Sequence, residues 1–158
     1  MLSFDDEELV SPLLLTTASG CLLFSFALAW LASLIYYAEI GVLKRLFPVP
    51  HNIIRAHVDY LLMAVVLIAV HYVRSQTPYL RPGAAEGGFE ATAVHYWVAC
   101  GGAVYNPLGF IAMAAVPSLG KPKTLGARLF VLVGFVPATI GFCAIWLHLF
   151  NASSAAFR

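Results

Sequence analysis

Charge is what this 158-residue chain has least of. Only 11% of its residues are Asp, Glu, Lys or Arg, against about 25% in soluble domains. No polar stretch is longer than the segment between Arg74 and Glu90, which leaves no room for a separate soluble domain. Nine basic and eight acidic residues give a net charge of +1. With no basic stripe and no aromatic-basic motif, nothing indicates nucleic-acid binding. The three cysteines, Cys21, Cys100 and Cys143, all lie in apolar segments, and neither CxxC nor CxxCH occurs. A thiolate metal site and covalent c-type haem attachment are therefore not suggested, and the cysteines read as small apolar packing residues. GxSxG, P-loop, HExxH and HxxxH patterns are missing too, so no hydrolytic zinc or nucleotide chemistry is signalled. Period-2 alternation is absent, which argues against a membrane barrel.

What the chain does have is apolar length. Hydrophobic residues make up 61% of it, and the mean hydropathy is +0.84. A spanning helix needs about 20 mostly apolar residues, and four segments qualify: roughly 12–40, 53–73, 91–116 and 125–150. The sequence predicts an all-α integral membrane four-helix bundle, with residues 1–158 forming one membrane domain. Pro12 suits the first turn of the first helix. Pro48 and Pro50 break the first connection. Pro78, Pro82, Gly83, Gly87 and Gly88 fill the second, and Pro117, Gly120 and Pro122 the third. Pro107 and Pro137 lie inside helices, where they free carbonyls that neighbours must satisfy. The N-terminus carries Asp5, Asp6, Glu7 and Glu8. A cleaved signal peptide starts with positive charge, so the first apolar segment reads as a retained helix. Lys44, Arg45, Arg55, Lys121, Lys123 and Arg128 fall on the side of the first and third connections, against Arg74, Arg81 and Arg158 on the other. That bias puts the first and third connections in the cytoplasm, as for a bacterial inner membrane protein.

The polar residues inside these spans are few enough to name. Arg55-Ala56-His57-Val58-Asp59-Tyr60 runs straight into an aliphatic stretch, and an ionisable group at membrane depth costs a few kcal/mol unless paired. A neutral imidazole is the cheapest such group to bury and the commonest metal ligand. Tyr60 and Ala64 follow His57 at helical spacing and leave space for a flat ligand such as haem, with Arg55 or Arg128 for its propionates. The plain alternative is a histidine hydrogen-bonded to water at the headgroup level. His71 lies fourteen residues on, near four turns and about 21 Å away. With His95 or His148 it could complete a bis-imidazole or metal site, or these rings could belong to an interfacial aromatic belt with Tyr72, Tyr96, Trp97 and Trp146. Tyr105-Asn106-Pro107 forms a second polar island in the third span. It reads either as kink satisfaction or as a polar pocket. Glu39 is explained by an ion pair with Lys44 or Arg45.

Four spans in this length, with Arg55-Ala56-His57 opening the second and Asn106 in an aromatic third, resemble styrene oxide isomerase and the related hydroxylaminobenzene mutase. Asp59 matches an acidic residue of the mutase-like sequences. The resemblance implies a trimeric membrane haem b protein, with each haem seated between subunits on one axial histidine, here His57. The ferric iron acts there as a Lewis acid on an epoxide oxygen, and ring opening with a hydride shift gives an aldehyde. The chain departs from that pattern at Met63, where the family has an asparagine, at Phe110, where it has a tyrosine, and at Gly102, where it has an aspartate. The expectation is therefore a homotrimer with haem b on His57, flanked by Arg55, Tyr60 and Ala64. Tyr105, Asn106 and Asp59 form the catalytic pocket for a small apolar epoxide. A bis-histidine haem electron carrier and a cofactor-free structural membrane subunit are the alternatives.

Overall fold

A computed structural model describes residues 6–76, 89–121 and 125–156. Pro78, Arg81, Pro82, Gly83, Gly87, Gly88, Pro122, Lys123 and Arg158 lie outside the described residues. Helix α1 runs Asp6–Tyr36, α2 Gly41–Leu46, α3 His51–Gln76 and α4 Ala93–Ala115. A 3-10 turn at Pro117–Gly120 leads to the last span. That span is built from α5 (Leu125–Phe130), a π-helical turn (Val131–Phe135) and α6 (Val136–Ala156). Among the described residues there are no strands.

Four helical segments, Leu9–Tyr36, His51–Gln76, Ala93–Ala115 and Leu125–Asn151, are long and apolar enough to cross a membrane. Only about a third of each is buried inside the protein, between 31% and 39%. The outward remainder includes Leu23, Phe26, Trp30, Leu62, Val65, Trp97, Leu132 and Phe150. A protein in water would not leave that much apolar area uncovered on every helix, so the bilayer is its solvent.

The boundaries differ from those expected in ways that have local causes. Helix α1 begins before Pro12, which sits inside it rather than at its start. It also stops at Tyr36, not Ile40. The chain then passes through Glu39 at φ 53° into α2, a short helix that hydropathy alone had merged with the first span. In the last span Pro137 has no N–H to give the preceding turn, and one wide π turn precedes it.

Small residues set the packing. The buried positions of α1 are Val10, Leu14, Ala18, Cys21, Ser25, Leu28, Ala32 and Ile35, and from Leu14 onward they alternate by fours and threes to make a coiled-coil-like seam. Helix α1 packs on α3 and α4, α3 packs on α4, and α6 docks on α4. Gly102 and Gly141 make the α4–α6 approach possible. A Cβ on Gly102 would collide with Ala138, and one on Gly141 would come 2.6 Å from the Ala99 nitrogen. The first and third connections lie at the same end of the molecule, where Val49 N–H of the first donates to the Ala114 carbonyl in the last turn of α4 (3.2 Å).

Candidate functional site

His57 stands on the flank of α3 that faces α1, and Ser25 of α1 meets it. The ring Nδ1 lies 2.9 Å from both the Ser25 carbonyl oxygen and the Ser25 hydroxyl. The hydroxyl itself donates to the His57 carbonyl at 3.0 Å. A carbonyl only accepts, so Nδ1 carries the proton and donates. The Nε2 lone pair then remains, with no partner among the described residues. A ring held through Nδ1–H on a backbone carbonyl is the arrangement that fixes an imidazole for metal ligation through Nε2. Ser25 is 1% exposed, and His57 is half-buried.

The other histidines are held differently. His71 Nδ1 meets only the Ser11 hydroxyl, at 3.0 Å, and a hydroxyl can donate or accept, so no tautomer is imposed. His95 Nδ1 accepts from the Thr92 N–H at 3.1 Å in a capping box at the start of α4, which spends its lone pair. His148 is buried with Nδ1 3.3 Å from the Phe89 carbonyl. His95 lies in α4 and His148 in α6, and both meet Phe89, whereas His71 turns toward α1. The structure does not bring these three rings together, and among the described residues no three His, Cys, Asp or Glu side chains cluster to hold a metal ion. Of the expected aromatic belt, Tyr72, Trp97 and Trp146 are exposed. Tyr96 is buried, with the Arg74 guanidinium 5.2 Å from its ring centroid.

The flanks of α3 divide the remaining candidates. Positions two apart on a helix project about 200° from each other and do not face one another. Asp59 therefore points away from His57, toward α4, where Asn106 Nδ2 donates to its Oδ2 at 2.8 Å. Arg55 also leaves the His57 flank and bonds the Asn52 side chain at 3.4 Å. Tyr60 and Ala64, expected beside a flat ligand, are wholly buried. The Tyr60 hydroxyl donates to the Val104 carbonyl (2.9 Å), and its ring stacks on Phe24. Pro107 lacks the N–H that would cap the Ala103 carbonyl, which the Cys21 thiol meets at 4.0 Å, one residue before the Val104 carbonyl that Tyr60 bonds. Space beside His57 is therefore not provided by Tyr60 and Ala64 within one chain.

Asn106 opens onto a groove. A cavity of about 560 Å³ runs between α3 and the last span, floored by α4 at Gly102 and Asn106. Met63 and the aromatic rings of Phe135, Phe142 and Trp146 wall it. Its size suits a small molecule. The Thr139 hydroxyl in its wall is spent on the Phe135 carbonyl (2.8 Å), which leaves the groove largely apolar. Two positions where the resemblance called for other residues, Met63 and Gly102, thus share one lining with Asn106. Phe110 packs against the core. The Tyr105 ring turns onto the π turn, where a Cβ on Gly134 would come 2.5 Å from it. Ser25 escaped the sequence reading, although its seven-residue spacing from Ala18 and Ser11 mirrors that of His57, Ala64 and His71.

Searches of the chain against protein-family models, curated proteins and solved structures give no match.

Proposed function

We propose that the protein is a membrane isomerase of the styrene oxide isomerase type, which holds haem b on His57 and converts a small apolar epoxide to a carbonyl compound without net redox change. One observation carries this reading: the Ser25 carbonyl fixes the proton of His57 on Nδ1 and leaves the Nε2 lone pair for a metal. Among the four histidines compared, His57 alone combines that tautomer with short bonds to a buried partner.

The chain's own residues have distinct tasks in this reading. His57 Nε2 would hold the iron of a bound haem, and Ser25 holds the ring in orientation. Haem b, when bound, supplies a Lewis acid for an epoxide oxygen. Asn106 fixes the Asp59 carboxylate, and the pair sets the polar edge of an otherwise apolar groove. Phe135, Phe142 and Trp146 keep water from the reacting carbon. Because His57 and Asp59 leave opposite flanks of α3, a site using both is assembled from two copies. The edge of the half-buried His57 ring that Ser25 leaves uncovered would then face the groove of the next protomer, as in a homotrimer. Arg55, on the groove's side of α3, is then placed for a propionate of the neighbour's haem. The first and third connections, rich in Lys and Arg, face the cytoplasm of a bacterial inner membrane.

The test is conversion of a styrene-type epoxide by detergent-purified protein, with the visible spectrum followed during addition. The reading predicts a high-spin ferric spectrum that shifts on adding an epoxide analogue, together with aldehyde formation. A protein that takes up no haem when supplied with haemin contradicts it.

A second reading has an observation of its own. Ser11–His71 and Ser25–His57 lie fourteen residues apart on both helices, and serine and histidine commonly bond across membrane helices. The two pairs then act as bolts between α1 and α3 in a cofactor-free structural subunit. In that case His57→Asn, which keeps a side-chain N–H, preserves all function measurable in the cell.

A further inference from the structure

At the end of the molecule where α1 passes into α2, a cavity of about 330 Å³ is lined by Tyr36, Glu39, Lys44, Phe47, Pro48 and Pro50. Helix α2 buries none of its residues. Val42 and Leu46 are exposed beside Lys44 and Arg45, and Tyr37 just before it is 88% exposed. A short segment that shows water both aliphatic and basic side chains, at the level where the spans end, belongs in the headgroup layer of a bilayer.

Charge at this end is one-sided. Lys44, Arg45, Arg55, Lys121 and Arg128 all belong to this end, where Val49 of the first connection bonds Ala114 in the last turn of α4. Among the described residues Glu39 is the only acid at this end outside the spans. Its backbone is left-handed, at φ 53°, a conformation that residues with a side chain adopt only at a cost. Such residues concentrate at ligand clamps. The consequence of that backbone is to bring the Glu39 carboxylate 3.3 Å from Lys44 Nζ at the cavity wall. An ion pair this exposed is weak and easily exchanged.

We infer that this cavity binds the phosphodiester headgroup of an anionic phospholipid. The lipid phosphate takes the place of the Glu39 carboxylate on Lys44, and Arg45 supplies a second positive charge. Tyr36 and Phe47 flank the glycerol, and the acyl chains lie along the exposed face of Ile40, Val42 and Leu46. Juxtamembrane basic side chains attract anionic lipid additively, so the site requires no induced charge elsewhere.

The experiment uses the full-length protein purified from vesicles of phosphatidylcholine, phosphatidylethanolamine and phosphatidylglycerol in equal parts. The retained lipids are counted by native mass spectrometry. Phosphatidylglycerol should be enriched over both others. Lys44→Gln combined with Arg45→Gln should lower that enrichment about 25-fold, about fivefold for each basic side chain, while Lys44→Arg keeps it. Glu39→Gln should raise it, because the competing anion is gone. Wild-type protein washed in about 1 M salt, where screening falls to about 3 Å, should lose it. Equal retention by wild type and the double variant overturns the inference, as does a fall in enrichment with Glu39→Gln or a preference for phosphatidylethanolamine.

Discussion

The Ser25 carbonyl oxygen and His57 Nδ1 lie 2.9 Å apart, and the Ser25 hydroxyl returns a 3.0 Å hydrogen bond to the His57 carbonyl. The pair ties the middle of α1 to α3 and settles which ring nitrogen of His57 carries the proton. Fourteen residues along each helix, Ser11 meets His71, and the register puts Ala18 and Ala64, both buried, midway between them. Only the first pair includes a carbonyl acceptor. The two histidines therefore differ in chemistry although they share a seam.

Ser25→Ala removes the hydroxyl and leaves the carbonyl. The variant should lose about 0.6 kcal/mol, the average for a side-chain hydrogen bond between membrane helices, read from unfolding in SDS. Its haem content should equal that of wild type, because the bond that sets the His57 tautomer is made by backbone. A large loss of haem with no loss of stability would mean that the hydroxyl, not the carbonyl, orients the ring.

Asn106→Leu leaves the Asp59 carboxylate without its amide donor at membrane depth. A loss of about 1–3 kcal/mol is expected for a stranded polar group. Asp59→Leu combined with Asn106→Leu should be less destabilised than the sum of the single variants, since residues in one hydrogen bond couple. Additive losses in this double-mutant cycle would show that the 2.8 Å contact carries no energy.

Gly141→Ala should loosen the docking of α6 on α4, because the new Cβ meets the Ala99 nitrogen and the His95 carbonyl, both backbone atoms. Overpacking of this kind costs about 1–3 kcal/mol. Gly101→Ala is the control. Nothing lies within 4 Å of its Cβ position, so it should be neutral or slightly stabilising in the same SDS titration.

The spans were legible because hydropathy and proline positions report on solvent and backbone, which act locally. The Glu39–Lys44 ion pair was legible for the same reason, five residues being enough to judge it. Helix α2 was not, since a left-handed Glu39 leaves no mark that a glycine would. The division of the site was legible in principle. His57 and Asp59 are two residues apart, and helical geometry alone places them on opposite flanks. The burial of Tyr60 and Ala64 was not legible, because helical spacing shows which residues share a face with His57 but not what covers each of them. Here Tyr60 and Ala64 are wholly covered while His57 is half-buried, and the Tyr60 hydroxyl bonds the Val104 carbonyl of α4. Ser25 needed the partner helix, because the matching seven-residue spacings acquire meaning only once α1 and α3 are paired in antiparallel register.

Haem content measured as the pyridine haemochrome, on wild type, His57→Ala and His71→Ala purified side by side, tests the central claim most directly. Haem bound through His57 predicts about one haem per chain in wild type and in His71→Ala, in keeping with a single axial ligand, and loss of the pigment in His57→Ala. Full haem in His57→Ala, or its loss in His71→Ala alone, would contradict it.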